Sequence, residues 1–507
     1  MTSGTAADDP VRTIFELPHE PEPLSSLDEI LFVHWKRLNI APAYLCSDAV
    51  FLRRAYVDLT GTLPEPDQVR NFLQDSHPGK RVALIDALLD RDEFASYWGM
   101  KWADLLRIKA EFPINLWPQA ARVYHDWVVA SLRANKPYDQ FARELLTASG
   151  SNFKNPPANF YRAVQNRQPE TLAKAVALTF MGVRVEHWPR ERLQGMAAFF
   201  SRVSYKTTRE WKEEIVYDDP HKPGAPQEGV LPDGTRVRFT SDRDPRLVFA
   251  DWLIQPRNPW FARNIANRIW AWLMGRGIVH EPDDIREDNP PLNEGLLSLL
   301  ERELIQGGWN LKRLYRLVAT SATYQLSPIP RAPQPEALDA FAAYRLRRLE
   351  AEVLADAICQ ITGTTEQYVS PIPEPFTLTP PTMRSIALFD GSITSAFLEL
   401  FGRPPRDTGY ESERNNQISA AQRLYLLNSS HIQRKLQSSP RLRALVPHCR
   451  SPEQVATQLY PLILSRFPHR QEMEAIARHA RRVPNLRELV IDVAWALINT
   501  AEFLYRH

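Results

Sequence analysis

A chain of 507 residues, 44% hydrophobic and 24% charged, has the composition of an ordinary globular protein with room for about two to four domains. Its 62 basic and 60 acidic residues leave a formal charge of +2, which excludes a chain-wide field for nucleic acid or an anionic membrane. No apolar run approaches the roughly 18 residues of a membrane span, and Cys46, Cys359 and Cys449 lie too far apart for a zinc motif or a disulfide framework.

Residues 1–24, acidic and proline-containing, read as a loose arm. They hold neither a basic nor an apolar region, so no signal peptide is expected. Residues 25–205 are predicted to be a helical half. LDEILFVHWKRLNI has helical periodicity, Ser47 caps a helix that Gly61 stops, and Pro66 opens the next. KRVALIDALLDRDEFASYWGMKWADLLRI continues as one or two helices, and AARVYHDWVVASLRANKPYDQFARELLTASG as two broken at Pro137. His125 beside Asp126 reads first as a partly buried histidine between Tyr124 and Trp127, and only second as a base with its orienting carboxylate. TLAKAVALTFMG is an apolar helix.

Residues 206–243 change character. EEIVYDD and TRVRFT are β-like, and Asp233-Gly234 is a turn signal, so a small two- or three-stranded insertion is predicted. Residues 244–507 form a second helical half, with proline-rich loops at 327–337 and 365–384. The fold class is therefore mainly α: a multi-helix single body of two halves with a small β insertion between them.

The stretch from Asp244 to Pro291 organises the second half. Asn258 reads as an N-cap, Pro259 as the first helical residue, and Gly275 and Gly277 as the stop. On this helix Phe261, Ile265, Ile269, Trp272 and Leu273 share an apolar face. Arg263 and Asn267 lie one turn apart, as do Asn264 and Arg268, and the loop behind holds Asp283, Asp284, Arg286, Asp288 and Asn289. Folding that loop back puts Arg268 within ion-pair reach of Asp284. Asn289 or Pro290 opens LNEGLLSLLERELIQGG, YRLRRLEAEVLADAICQITG is an amphipathic helix, and LRELVIDVAWALINTAEFLYRH closes the chain as helix.

No nucleophile elbow, P-loop, dinucleotide fingerprint or HExxH appears. Asp283 and Asp284 are weak catalytic candidates, since adjacent carboxylates split their pKa values, but the arginines nearby favour plain ion pairs. Candidate ligand-binding residues are Arg263, Asn267, Arg268, Arg286, Arg384, Arg403, Arg406 and Arg414, because the guanidinium fork matches oxyanions. Salt bridges from the last of these to Glu411, Glu413 and Asp407 are an equal reading. Two functions are expected: a non-enzymatic helical binding or scaffold protein for a partner protein or an anionic glycan, or a hydrolase-like enzyme using the Asp283/Asp284 loop on such a glycan. A fully paired network favours the first, and a pocket holding Asp284 with free arginines the second.

The runs NPWFARNIANRIWAWLMGRGIV, DDIREDNPP and GWNLKRLYRLVATSATYQLS resemble the second half of a large bacterial family. FLRRAYVDLTGTLPEPDQVRNFL, YHDWVVASLRANKPYDQFARELLTASG and the terminal WALINTAEFLYRH match it too. That family, abundant in planctomycete and verrucomicrobial genomes and often beside cytochrome-like modules, carries linked domains of unknown function, numbers 1549 and 1553. The resemblance runs from about Leu27 onward, implies an extracytoplasmic place, and lends no activity. Most relatives carry a CxxCH-type run after the helix that matches TLAKAVALTFMG. Here VRVEHWPRERLQGMAAFF has no cysteine and only His187, so no haem, metal or other cofactor is expected.

Overall fold

Local signals set most of the helix ends in the computed structural model, which describes residues 12–331 and 335–507. The first eleven residues of the expected 1–24 arm and residues 332–334 of the 327–337 loop lie outside the described residues. Ser47 Oγ accepts from Val50 N at 3.3 Å and opens Asp48–Thr60, which Gly61 ends in the left-handed region (φ 59°). Lys80–Leu89 and Asp92–Leu105 are two helices, and Pro118–Arg133 and Tyr138–Leu146 stand on either side of Pro137. Ser26–Leu38 packs instead against Glu294–Gln306 of the second half.

The chain is mainly helical with small β elements. Glu214–Asp218 and Arg236–Arg238 are strands, and the second pairs with Glu228–Val230 around Asp233-Gly234. The sheet extends beyond the 206–243 stretch. Val203–Thr207 pairs antiparallel with Glu214–Asp218, and Gly150–Ser151 adds a third strand on the other edge. A two-residue edge strand shows no alternation that a sequence could display. Arg162 Nε meets Glu214 at 2.8 Å and ties this sheet to the first helical half.

Four element boundaries depart from expectation, the last being the closing helix, which ends at Ile498 and is followed by a short Ala501–Leu504 helix and the strand Tyr505–Arg506. The central helix is Phe261–Met274 and starts after Pro259. Asn258 still caps it, accepting from Trp260 N at 3.0 Å and Phe261 N at 3.2 Å, with Pro259 and Trp260 in a turn. The next helix is Glu294–Gln306, capped by Asn293 and not opened at Asn289 or Pro290. Asn289 instead donates to His280 O at 3.0 Å and Asp284 O at 2.8 Å, closing the acidic loop. The third helix starts only at Ala351, while Arg347–Arg348 pairs antiparallel with Tyr505–Arg506. Three arginines in four residues would sit at the positive end of the helix dipole, which disfavours helix there.

Phe261–Met274 is buried nearly all round. Ile265, Ile269, Trp270 and Leu273 are inaccessible, and so are Asn264 and Asn267. Trp272 packs against Trp98 of the first half with ring centroids 5.3 Å apart. A polar seam joins the halves as well. Asp58 accepts from the Tyr324 and Tyr344 hydroxyls at 2.8 Å each and from Arg506 Nη1 at 2.7 Å. Arg506 also pairs with Glu350, which takes Lys101 Nζ at 2.8 Å. Burial alone would raise the Glu350 carboxyl, but Arg506 and Lys101 hold it well below the usual range. Among the described residues no helix is long and apolar enough to cross a membrane.

Candidate functional site

The polar face of Phe261–Met274 points inward. Arg268, 1% exposed, donates through Nε to Asn264 Oδ1 at 3.0 Å and through Nη2 to Leu178 O at 3.0 Å and Asp283 Oδ1 at 2.5 Å. Its ion-pair partner is thus Asp283 and not Asp284. Asp283 is fully buried and takes Glu411 N on its other oxygen at 2.7 Å. Asp284 lies on the outer side, 3.3 Å from Arg286 Nε. The reason is local: Ile285 N donates to Gly182 O at 2.8 Å, which pins the loop against the first half and turns Asp283 in. Asn267 exchanges two hydrogen bonds with Val279, at 2.9 and 3.0 Å, and holds the turn after the helix.

The remaining candidate arginines bind the chain itself. Arg263 pairs with Glu294 at 2.6 Å and Glu301 at 3.1 Å. Arg406 Nε donates to Asp104 at 2.9 Å, and Arg414 clamps Asp104 at 2.6 Å and Glu352 at 2.7 Å. Arg403 reaches Glu352 at 3.5 Å and Asp390 O at 3.1 Å. Glu411, Glu413 and Asp407 are not their principal partners. Asp407 goes to Lys109 at 2.6 Å, Glu413 accepts Asp407 N at 2.8 Å, and Glu411 accepts Trp272 Nε1 at 3.0 Å. Arg384 lines a different cleft, of about 330 Å³, 3.4 Å from Asp356 and in company with Glu65, Glu93 and Glu366. Four carboxylates make that cleft a poor host for an anion.

The basic character that is left gathers elsewhere. A cleft of about 880 Å³ opens at the C-terminal end of Phe261–Met274, lined by Arg345, Arg347, Arg348 and Arg414 with Asn415, Asn416, Gln417 and Tyr505. Among the described residues no Asp or Glu lines it. Arg347 donates to Trp272 O at 2.7 Å and Leu273 O at 2.6 Å, two of the carbonyls that a helix end leaves without partners. Gly275, at φ 81°, makes room for it: a Cβ there would sit 2.6 Å from Arg347 Cδ. Arg348 is 2% exposed and holds only carbonyls, those of Leu349, Phe401 and Asn415, with its Nε unpartnered. Burial lowers it to about 10, so it remains charged at neutral pH. Arg345 shares the single carboxylate of Asp339 with Arg276, at 2.6 and 3.3 Å. Of the candidate ligand-binding residues only Arg414 is part of this cleft. The overlooked signal is the YRLRR run, three arginines just ahead of a helix that cannot include them.

Among the described residues no three His, Cys, Asp or Glu side chains converge as a metal site would require. His187 is exposed at the surface. His125 is buried with both ring nitrogens unpartnered, its Nδ1 3.8 Å from Asp126, and burial keeps its pKa below the usual value. Residues 26–202 match the family model described as a protein of unknown function, DUF1549, and residues 245–480 match a second so described, DUF1553. No curated protein and no solved structure matches the chain.

Proposed function

With the DUF1549 and DUF1553 domains standing in tandem in this chain and neither bringing an activity, we propose that it is a non-enzymatic binding protein for an anionic glycan. The observation that supports this reading is the cleft at Arg345–Arg348: three arginines beside the Arg414 that Asp104 and Glu352 hold, amide and hydroxyl groups around them, and no carboxylate among its described lining residues. Guanidinium forks match sugar carboxylates, and the neighbouring amides suit hydroxyls. A concave polar cleft suits an oligosaccharide better than a folded partner, whose interface would centre on buried apolar anchors. The hydrolase alternative has less behind it. Asp283 is wholly buried and occupied by Arg268 and a backbone amide, and a catalytic carboxylate must touch its substrate.

Calorimetric titration with trigalacturonate and with its methyl ester tests the proposal. The free acid binds, the ester binds at least about tenfold more weakly, and affinity falls as salt is raised. Arg345→Glu, at a side chain one-third exposed, removes one charge-assisted bond and lowers affinity by roughly 10- to 100-fold. Equal binding of acid and ester, or a titration unchanged by Arg345→Glu, would falsify the assignment. Release of reducing ends from the trisaccharide would restore the enzyme reading.

A further inference from the structure

A second buried positive charge stands apart from that cleft, at Arg107, and no carboxylate among the described residues lies within ion-pair distance of it. Arg107 follows the Asp92–Leu105 helix with a left-handed backbone (φ 57°) and is 3% exposed. Its Nε donates to Ala163 O at 2.7 Å and its Nη1 to Leu105 O at 3.2 Å, while Nη2 is buried with no hydrogen-bond partner. Carbonyls satisfy geometry without cancelling charge. The carboxylates nearby are engaged elsewhere: Asp407 by Lys109 at 2.6 Å, Glu186 by Lys174 at 3.5 Å, and Glu413, whose charge partly offsets that of Arg107, by the backbone amides of Asp407, Thr408 and Gly409. Buried Arg268, Arg406 and Arg414 sit on carboxylates, whereas Arg53, Arg54 and Arg348, like Arg107, hold carbonyls. An unpaired buried cation is costly unless something else completes it.

Arg107 forms part of the wall of a cavity of about 320 Å³. Val164, Leu178, Val183 and Val185, each 5% exposed or less, form an apolar part of the wall, while Lys174, paired with Glu186, and Asp407, paired with Lys109, line it as well. Thr408 and Tyr410 cover one side, so the cavity lies between the residues of the first domain and a loop that follows in the second. At about 30 Å³ each it has room for about ten non-hydrogen atoms, the size of a small metabolite. An apolar wall asks for hydrocarbon, and an unpaired guanidinium asks for an anion.

We propose that this cavity is a binding site for a small monocarboxylate with an apolar body, the carboxylate facing Arg107 and the body against Val164, Leu178, Val183 and Val185. The site is separate from the glycan cleft and stands or falls independently of it. Such a ligand would touch both domains at once and hold the 407–410 loop against the first.

Titration of the full chain with benzoate, benzyl alcohol and acetate tests this. Benzoate is expected to bind with one-to-one stoichiometry, at least tenfold tighter than benzyl alcohol, which lacks the charge, and than acetate, which lacks the body. Arg107→Gln is expected to abolish the preference for benzoate over benzyl alcohol. Because that variant could fail to fold, Ala175→Leu serves as the second: Ala175 also lines the cavity, so a leucine there takes up its space and should weaken benzoate at least tenfold in a protein with an unaltered circular dichroism spectrum. No benzoate binding, equal binding of the alcohol, or full binding by folded Ala175→Leu would each overturn the proposal.

Discussion

Arg268→Ala is the sharpest probe of how the two halves are joined. The substitution strands the Asp283 carboxylate, which has no exposed surface, and leaves it only the Glu411 amide. It also removes the donors to Asn264 Oδ1 and Leu178 O. Removing one partner of a buried ion pair costs about 3–5 kcal/mol, most of it the desolvation of the charge left behind. At about 2.1 cal/mol/K per residue, a chain of 507 residues unfolding as one unit would lose about 3–5 °C in Tm. Scanning calorimetry gives the temperature and urea denaturation the free energy. The informative comparison is the double variant Arg268→Met with Asp283→Leu, which replaces both charges by apolar groups of similar size and should recover most of the loss. A coupling energy of about 2 kcal/mol or more between the two positions is expected from the cycle. If Arg268→Ala unfolds within about 0.5 kcal/mol of the parent, the pair is not a structural lock, and Arg268 becomes a candidate for ligand contact again.

Glu350→Gln should flatten the acid limb of stability. The folded carboxyl is held below its free value, so its contribution is complete above roughly pH 4.5 and is lost as pH falls through the range beneath; urea midpoints at pH 3–7 check this, and an unchanged slope counts against it. Gly182→Ala should destabilise by about 2–4 kcal/mol, since the backbone is left-handed there (φ 65°) and a Cβ would lie 2.5 Å from Asn264 Oδ1 and 2.9 Å from Pro282 O; an unaltered urea midpoint would refute it. Tryptic cleavage at Arg243, exposed in the bend ahead of the Pro245–Leu253 helix, should give two fragments that co-elute on a sizing column. Elution as separate folded pieces would show that the seam at Asp58, Glu350 and Arg506 does not hold the halves together.

Much of the helical scaffold is readable because its signals are local. Ser47, Gly61, Pro137 and Gly275 mark ends by their own backbone preferences, whatever lies opposite them. Pairings between distant residues are not readable in this way. The helix spacing shows that Asn264 and Arg268 share a face, yet nothing in it shows that Asp104, some three hundred residues earlier, waits for Arg406 and Arg414. The one-residue difference between Asp283 and Asp284 is of the same kind. It is decided by a single hydrogen bond from Ile285 to Gly182, a contact between halves that composition and periodicity do not encode.

The same limit applies to the arginines. Reading them by residue type, as guanidinium forks matched to oxyanions, favours Arg403, Arg406 and Arg414, and these are the ones the fold uses up on Asp104 and Glu352. A binding site needs charge that remains after the chain has satisfied itself, so the useful quantity is the local surplus and not the local density. By that measure Arg347 and Arg348 stand out, because their hydrogen bonds end on carbonyls and a tyrosine hydroxyl, and Arg345 must divide one aspartate with Arg276. Arg347 keeps only a distant carboxylate, Asp58 at 3.9 Å, already claimed by Arg506. The same accounting picks out Arg53, Arg54 and Arg107 within the first domain, and of these Arg107 lines a cavity. Surplus charge beside a cavity is a property of the folded chain alone, and it separates sites from struts where the sequence shows only a list of arginines.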